Sequence, residues 1–512
     1  MKKLSTLLII AFALVLGLTQ CKKKVDTIAT PNNLGEAVYI TVNVSGDKHI
    51  VYPGTGAVVY GNGDEIYVGN NGTYVGTLTY ADGKFSGIIN SPSTADYLHF
   101  YFLGGLTPSA TPVPGTTPDF TVSIADQSTQ LPVLSYGCST EKYTTSSATY
   151  DCTLLNKCGL VKFVPATATS DPVRVHGMKT TATIDFANPG ITPTDATGTI
   201  TLYPEPESDA KWAILLPQDK VSTPDGMIGK YACTMSEVPE VIANTYSISG
   251  VSMTVRQGML GGLFTINPGG GKVHFSQGNL QAVYTSDKTS GWTWSFATNQ
   301  YDYIGNATAN TAVGDNVVTT DGTVDLFGWV GVSSSLAAYG INNNMNHSSY
   351  GNTVNEALKN DWGHNQISNG GNTADTWRTL TSAEWAYVFQ GRTGASQKYG
   401  HGSVNGVNGM IILPDVWVLP SGLSFTAGSS AWANSYTTDQ WEKMEKNGAV
   451  FLPATGVRSG SSVSYVGSSY YWSSTSHESY AQHAYSVRFG ESDLNPQKFI
   501  FRYEGRSVRL VF

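Results

Sequence analysis

The chain has 512 residues, a formal net charge of −8, and only 13% charged residues. Its one internal basic run is Lys22–Lys24, which argues against nucleic acid as a partner. A length of about three ordinary domains, rich in Gly, Ser, Thr, Asn and Tyr, suits an exported β-rich surface protein better than a cytosolic enzyme.

Residues 1–20 read as a secretory signal peptide: Lys2 and Lys3, an apolar run from Leu4 to Leu16, then Leu18-Thr19-Gln20-Cys21. The run is too short to span a bilayer. Leu18–Cys21 resembles a lipobox, with Gln20 where a small residue is usual. The resemblance implies lipidation at Cys21, a membrane anchor through the lipid, and residues 21–36 as a lipidated tether. Acyl chains contribute about 0.8 kcal/mol per buried methylene, so a multiply acylated cysteine holds the chain at the outer membrane.

From Ala37 the pattern turns to strands. Val38, Ile40, Val42 and Val44 alternate with polar residues, and Asp64–Val68, Tyr74–Leu78, Gly83–Gly87 and Tyr97–Leu103 follow with Gly/Asn turns between them. Short, regularly spaced strands of this kind predict a β-sandwich. "GDEIYV", "DYLHFYFLGG", "ADQSTQLPVLSYG" and "TLLNKCGLVKF" resemble the fimbrillin-like family of Bacteroidetes. That resemblance implies two tandem β-sandwiches, at 37–150 and 151–258. The second would include Leu160–Val164, Ala182–Phe186, Gly198–Tyr203, Trp212–Leu216 and Thr245–Val251.

Residues 259–271, with Gly258 just before them, hold most of a six-glycine cluster and Pro268, and read as a hinge. Only Trp212 lies before it, and ten tryptophans lie beyond Gly291. In the last tract, 272–512, Thr381-Ser-Ala-Glu384 has capping-box form ahead of Trp385, Val388 and Phe389, and Thr438–Lys446 predicts a second helix. Three strands are expected at the end, with Val487 and Phe489, then Phe499, Phe501 and Tyr503, then Val508, Leu510 and Phe512 as their apolar faces. "KVHFSQGNLQ", "WSFATNQYDYIG", "DLFGWVG", "WRTLTSAEWAYVF", "GAVFLPATGVRSG", "YYWSST" and "GRSVRLV" resemble the Fibrobacter-type major paralogous domain of Bacteroidetes surface lipoproteins. The resemblance implies an α+β C-type-lectin-like fold. The whole chain is therefore expected to be mainly β, with two fimbrillin-like sandwiches followed by that domain.

Cys138, Cys152, Cys158 and Cys233 are an even set in an exported chain and are candidates for disulfides or buried thiols. Their spacing lacks the Cys-x-x-Cys or paired-His form of a zinc site. No cysteine follows Cys233, so the copper chemistry of formylglycine-generating enzymes, which share the lectin-like fold, does not carry over. No calcium tripeptide of the lectin type occurs, and the carboxylates of Glu491-Ser-Asp493 read as a solvated turn. Glu442 and Glu445 interleave with Lys443 and Lys446 and read as ion pairs. The tryptophans read as core. The loop Gly340–Tyr350 offers His347 and Tyr350 as ligand-binding candidates against the plainer reading of a flexible loop.

The expectation is a non-enzymatic surface adhesin, or a pilus tip or accessory subunit, without cofactor or metal. Its head would meet a glycan or a host or bacterial surface protein, with fimbrillin-like subunits as further partners. The alternatives are a glycan-capturing lipoprotein of a polysaccharide uptake system and, least favoured, an enzyme in the last domain.

Overall fold

The computed structural model describes residues 37–46, 60–90, 92–118, 120–205, 208–284, 292–305, 310, 322–330, 340–341, 345–351, 353–354, 357–358, 361–428 and 431–512. The signal peptide, Cys21 and the tether lie outside the described residues. Strands dominate, and the chain divides into two compact units. One takes residues up to 122, 134–156 and 183–192; the other takes 123–133, 157–182 and 193–512.

The first unit contains a closed ring of seven strands where a sandwich was expected. These are β1 (Ala37–Gly46), β2 (Glu65–Asn70), β3 (Thr73–Ala81), β4 (Lys84–Asn90), β5 (Tyr97–Phe102), β6 (Ser135–Lys142) and β7 (Thr149–Asn156). Their order is β1-β4-β3-β2-β5-β6-β7, and β7 returns to β1 in parallel register, Thr41 opposite Thr149. Because β1 is hydrogen-bonded on both sides, neither of its edges is left open. Alternation supplies the interior: Ile40 and Val42, Ile66 and Val68, Leu98 and Phe100, and Cys152 and Leu154 are buried. Gly137 is required where β6 meets β7, since a side chain there would collide with the Thr153 carbonyl. β7 completes the ring at Asn156, and the units interleave in sequence, with 123–133 in the second and 183–192 in the first.

The second unit begins with a mixed eight-stranded sheet. Its strands are β8 (Gly159–Pro165), β9 (Val173–Lys179), β10 (Thr197–Thr201), β11 (Tyr203–Pro204), β12 (Lys211–Leu215), β13 (Asp225–Ile228), β14 (Tyr231–Met235) and β15 (Tyr246–Leu260). They lie in the order β10-β9-β13-β14-β15-β8-β12-β11. The expected hinge is not an open linker. Strand β15 runs through residue 258 to Leu260, and a short hairpin, β16 (Phe264–Thr265) with β17 (Lys272–Val273), follows directly. Leu260, Phe264, Ile266, Val273 and Phe275 join one core with Trp385, Val450 and Val511. The glycines there serve close packing: a Cβ on Gly261 would lie 2.5 Å from Met227, and one on Gly262 would strike the Gly448 carbonyl.

Beyond the hairpin the unit is built of short sheets. β18 (Leu280–Tyr284), β19 (Trp292–Phe296) and β20 (Gly322–Val324) form one. β21 (Arg378–Thr379) precedes a four-stranded sheet of β22 (Tyr399–Val404), β23 (Val407–Ile412), β24 (Asn434–Tyr436) and β25 (Val450–Pro453). β26 (Ser469–Ser476), β27 (His483–Phe489) and β28 (Leu494–Phe501) make an antiparallel meander. Both expected helices are present. α1 (Ser382–Ala386) carries the Thr381/Glu384 capping box and continues into a wider turn, Tyr387–Gly391; α2 (Thr438–Glu445) is capped reciprocally by Thr437 and Gln440. Trp329, Trp362, Trp385, Trp441 and Trp472 are fully buried, as the core reading requires.

The last strand departs from expectation. β29 (Leu510–Val511) does not extend the meander but pairs with β21, Arg378 opposite Val511. Residues 506–512 thread the middle of the unit: the Ser507 carbonyl accepts from the Trp472 amide (3.0 Å), that of Val508 from Leu280 (3.0 Å), and that of Leu510 from Ser276 (2.9 Å). Val508, Leu510 and Val511 are buried, Phe512 is exposed, and Arg509 is buried among them, donating to Gln300 Oε1 at 2.8 Å.

Candidate functional site

Alternation in β28 predicts that Phe499, Phe501 and Tyr503 face the core. The structure reverses this. Ile500 and Arg502 point inward, Phe499 is 39% exposed, and Phe501 and Tyr503 are half-buried on the outer side. Arg502 holds the reversed register. Its guanidinium lies 4.5 Å from the centre of the Trp329 ring, and its Nε donates to the His483 carbonyl at 3.1 Å. Further donations reach the carbonyls of Tyr350 and Gly351. Within β28 alternation turns Phe499 and Phe501 out and Ile500 in, and the turn that follows buries Arg502.

The outward rings join others from the meander and from the turn His347–Tyr350. His477 lies edge-on to Phe499 at 4.5 Å and stacks on Tyr485 at 5.2 Å; His483 lies 4.4 Å from Phe501. Tyr480, 52% exposed, closes the cluster against Phe499. The backbone amides of Ser479 and Tyr480 donate to His477 Nδ1, so the tight turn after β26 fixes this ring. Burial pushes the Tyr485 hydroxyl up to about 12, reinforced by its 2.7 Å bond to Glu478, and burial pulls His483 below the ordinary histidine range.

Beside the rings runs a groove of about 440 Å³, lined by Tyr465, Tyr470, His483, Phe499, Phe501 and two arginines, Arg488 and Arg506, with Glu504 at its side. Arg506 pairs with Glu504 at 2.5 Å and Arg488 with Asp493 at 2.8 Å. Burial lowers the pKa of Arg506.

The two ligand-binding candidates separate. The turn carrying His347 is capped by the Asn346 side chain and brings the imidazole 4.8 Å from Phe501 and 4.7 Å from Tyr503, into the aromatic face. Tyr350 is fully buried beneath Gly328 and is a core residue, not a ligand group. Sequence reasoning missed Tyr480, Phe499 and Phe501 as surface groups; alternation places Arg502 in solvent, so the pattern itself carries no signal of the reversal.

No disulfide joins any of the four candidate cysteines, Cys138, Cys152, Cys158 and Cys233, to another. Ser139, not Cys138, stands opposite Cys152, so the two cysteines occupy opposite faces of the β6–β7 pair, one exposed and one buried. Cys158 and Cys233 are buried, and burial pushes the thiols of Cys152 and Cys233 up to about 12. Glu445 is buried and bonded to Lys230 and Gln300, while Glu442 pairs with Lys446, so these carboxylates serve packing and ion pairing. Among the described residues no group of three His, Cys, Asp or Glu could hold a metal ion. No helix among them is long and apolar enough to cross a membrane.

A second cleft, of about 290 Å³, lies where β9, β10 and β13 meet the β16–β17 hairpin and residues 414–416. His274 Nε2 faces Asp225 at 3.5 Å, and His176 Nδ1 bonds Thr199 at 2.8 Å. Burial brings His176 down to about 4.

No protein-family model matches the chain, and no curated protein matches it. Among solved structures it is similar to a candidate cell adhesion protein of Bacteroides uniformis, at 16% identity over 43% of this chain and 96% of that one, with a TM-score of 0.29. It is also similar to a fimbrial protein of Bacteroides ovatus, at 12% identity over 93% and 100%, TM-score 0.23. A tip fimbrial protein of Porphyromonas gingivalis, truncated at its C-terminus, matches at 7% identity over 43% and 98%, TM-score 0.23. At these TM-scores the likeness carries no structural or functional argument.

Proposed function

We propose that the chain is a non-enzymatic surface lipoprotein, an adhesin or a pilus tip or accessory subunit, whose ligand face is the aromatic side of the β26–β28 meander. The observation that supports this reading is the reversed register of β28. It leaves Phe499 in solvent, beside Tyr480 from the turn after β26, while Ile500 takes the inward position. Exposed aromatic clusters edged by polar groups are ligand or partner surfaces more often than solvent-facing decoration. Aromatic faces stack on sugar rings and pack equally well against protein. The lipobox at Cys21 and the collinear motifs of the last tract support a surface location and a head of lectin-like kind.

The mature chain, displayed on a glycan and surface-protein array, is expected to bind a ligand that Phe499→Ala and Tyr480→Ala both abolish while each variant keeps a cooperative melt. Retained binding in both variants would remove this face from the function. Separately, Cys21→Ala is expected to release the protein from the detergent-extracted membrane fraction.

A further inference from the structure

The geometry points to a ligand class for the groove: we propose that it takes a carboxylate-bearing sugar, with the ring against Phe499 and Phe501 and the carboxylate toward Arg488 and Arg506. This rests on the reading of the aromatic face as the ligand face.

Tyr470 on β26 stands opposite Arg488 on β27, and both guanidiniums lie over its ring, Arg506 at 4.0 Å and Arg488 at 5.9 Å from the centre. Arg506 is only 3% exposed, yet Nη2 alone finds a partner, Glu504; its Nε and Nη1 are buried without one. Arg488 gives Nη1 to Asp493 and likewise leaves Nε unpartnered. A guanidinium presents five N–H donors in a plane, and buried donors are normally satisfied. Two guanidiniums with donors unspent on one groove match a planar, two-oxygen acceptor. Glu504 and Asp493 each balance the charge of one arginine and hold one side of it, so the groove offers directed donors and no net positive charge.

The aromatic wall selects among acceptors. An inorganic anion makes no use of Phe499, Phe501 and His483. An acidic peptide brings its carboxylate on a flexible stem without a flat apolar face. A pyranose carrying a carboxylate supplies both surfaces at once.

The test is calorimetric titration of the full mature chain with methyl glucuronide and with methyl glucoside, alongside an array of acidic glycans and their carboxyl-reduced counterparts. The uronide is expected to bind at least tenfold more tightly than the glucoside. Arg488→Gln should bring the uronide affinity down to that of the glucoside. Arg506→Gln should do the same provided its near-ultraviolet tryptophan signal is native, and the half-buried Arg488 keeps the test decisive if Arg506→Gln misfolds. Equal binding of both sugars, lost in Phe499→Ala, overturns the carboxylate inference while the ligand face survives. Capture of polyglutamate with no sugar bound overturns the sugar class. Binding of no array ligand by wild type or Phe499→Ala overturns both.

Discussion

Leu510, Val511 and Phe512 separate a simple strand pattern from the observed threading. Period-two reading places Leu510 and Phe512 on one buried face and Val511 outside. The structure buries Leu510 and Val511 together and leaves Phe512 44% exposed. Leu510→Ala removes three fully buried carbons, about 2.4 kcal/mol at about 0.8 per methylene, before the cavity adds to it. The expected loss is about 3–5 kcal/mol. Val511→Ala removes two buried carbons and should cost about 2 kcal/mol. The Phe512 ring keeps two specific contacts, the Arg256 guanidinium at 4.8 Å and an edge-to-face approach to Trp377 at 6.2 Å. Phe512→Ala should therefore cost about 1 kcal/mol. Denaturant titration of the three variants, followed through tryptophan fluorescence, gives the ranking directly, because five tryptophans of this unit are fully buried and report its unfolding. A neutral Val511→Ala with a Phe512→Ala as costly as Leu510→Ala would refute the threading and restore the alternating strand.

Four further outcomes are expected. Asp325 is fully buried and burial raises its pKa to about 6, so its contribution is fully present below the unfolded value of 3.8 and is lost as pH rises through about 6. Relative to Asp325→Asn, the wild type should lose about 2 kcal/mol of stability between pH 4 and pH 7, and a pH-independent difference in melts would contradict this. Tyr471→Phe deletes a buried hydroxyl that donates to the Pro453 carbonyl and accepts from Asn279, and should cost about 1–3 kcal/mol by equilibrium unfolding. Thr381→Ala breaks the capping box of α1 and should cost about 1 kcal/mol in the same assay. Maleimide labelling of the native chain, with Cys21 lipidated, should modify Cys138 alone; labelling of Cys152, Cys158 or Cys233 before unfolding would show that they are not buried.

What the sequence reveals here is local. The Thr381/Glu384 box, the helix after Thr437 and the strands from Tyr470 are set by contacts between near neighbours, so patterns of three or two residues find them. The misreadings come from long-range partners. Glycines 261 and 262 look like a flexible joint until Met227 and the Gly448 carbonyl are seen pressing on them. Arg458, Arg502 and Arg509 are fully buried because carbonyls from distant segments receive them: Leu326 for Arg458, His483 for Arg502, and Phe451 for Arg509. A hydrophobicity pattern places such residues in solvent and so inverts the strand that carries Arg502. For the site, His347 was legible as a polar group in an Asn/Ser loop, whereas Tyr350 and Phe499 were each assigned to the wrong side of the surface.

The threading of residues 506–512 has a consequence for biosynthesis. Ser276 and Leu280 reach the growing chain early, and the carbonyls they donate to belong to Leu510 and Val508, nearly the last residues of this sequence to be made. The core holding Trp329, Trp362 and Trp472 lacks Val508 and Leu510 until that moment. A nascent chain therefore carries an open, tryptophan-rich surface for most of the time it takes to make the unit, and closure is an event of the final few residues. A chain lacking residues 507–512 is expected to be retained by holding chaperones or degraded, so that ligand faces are displayed only by chains that carry this segment.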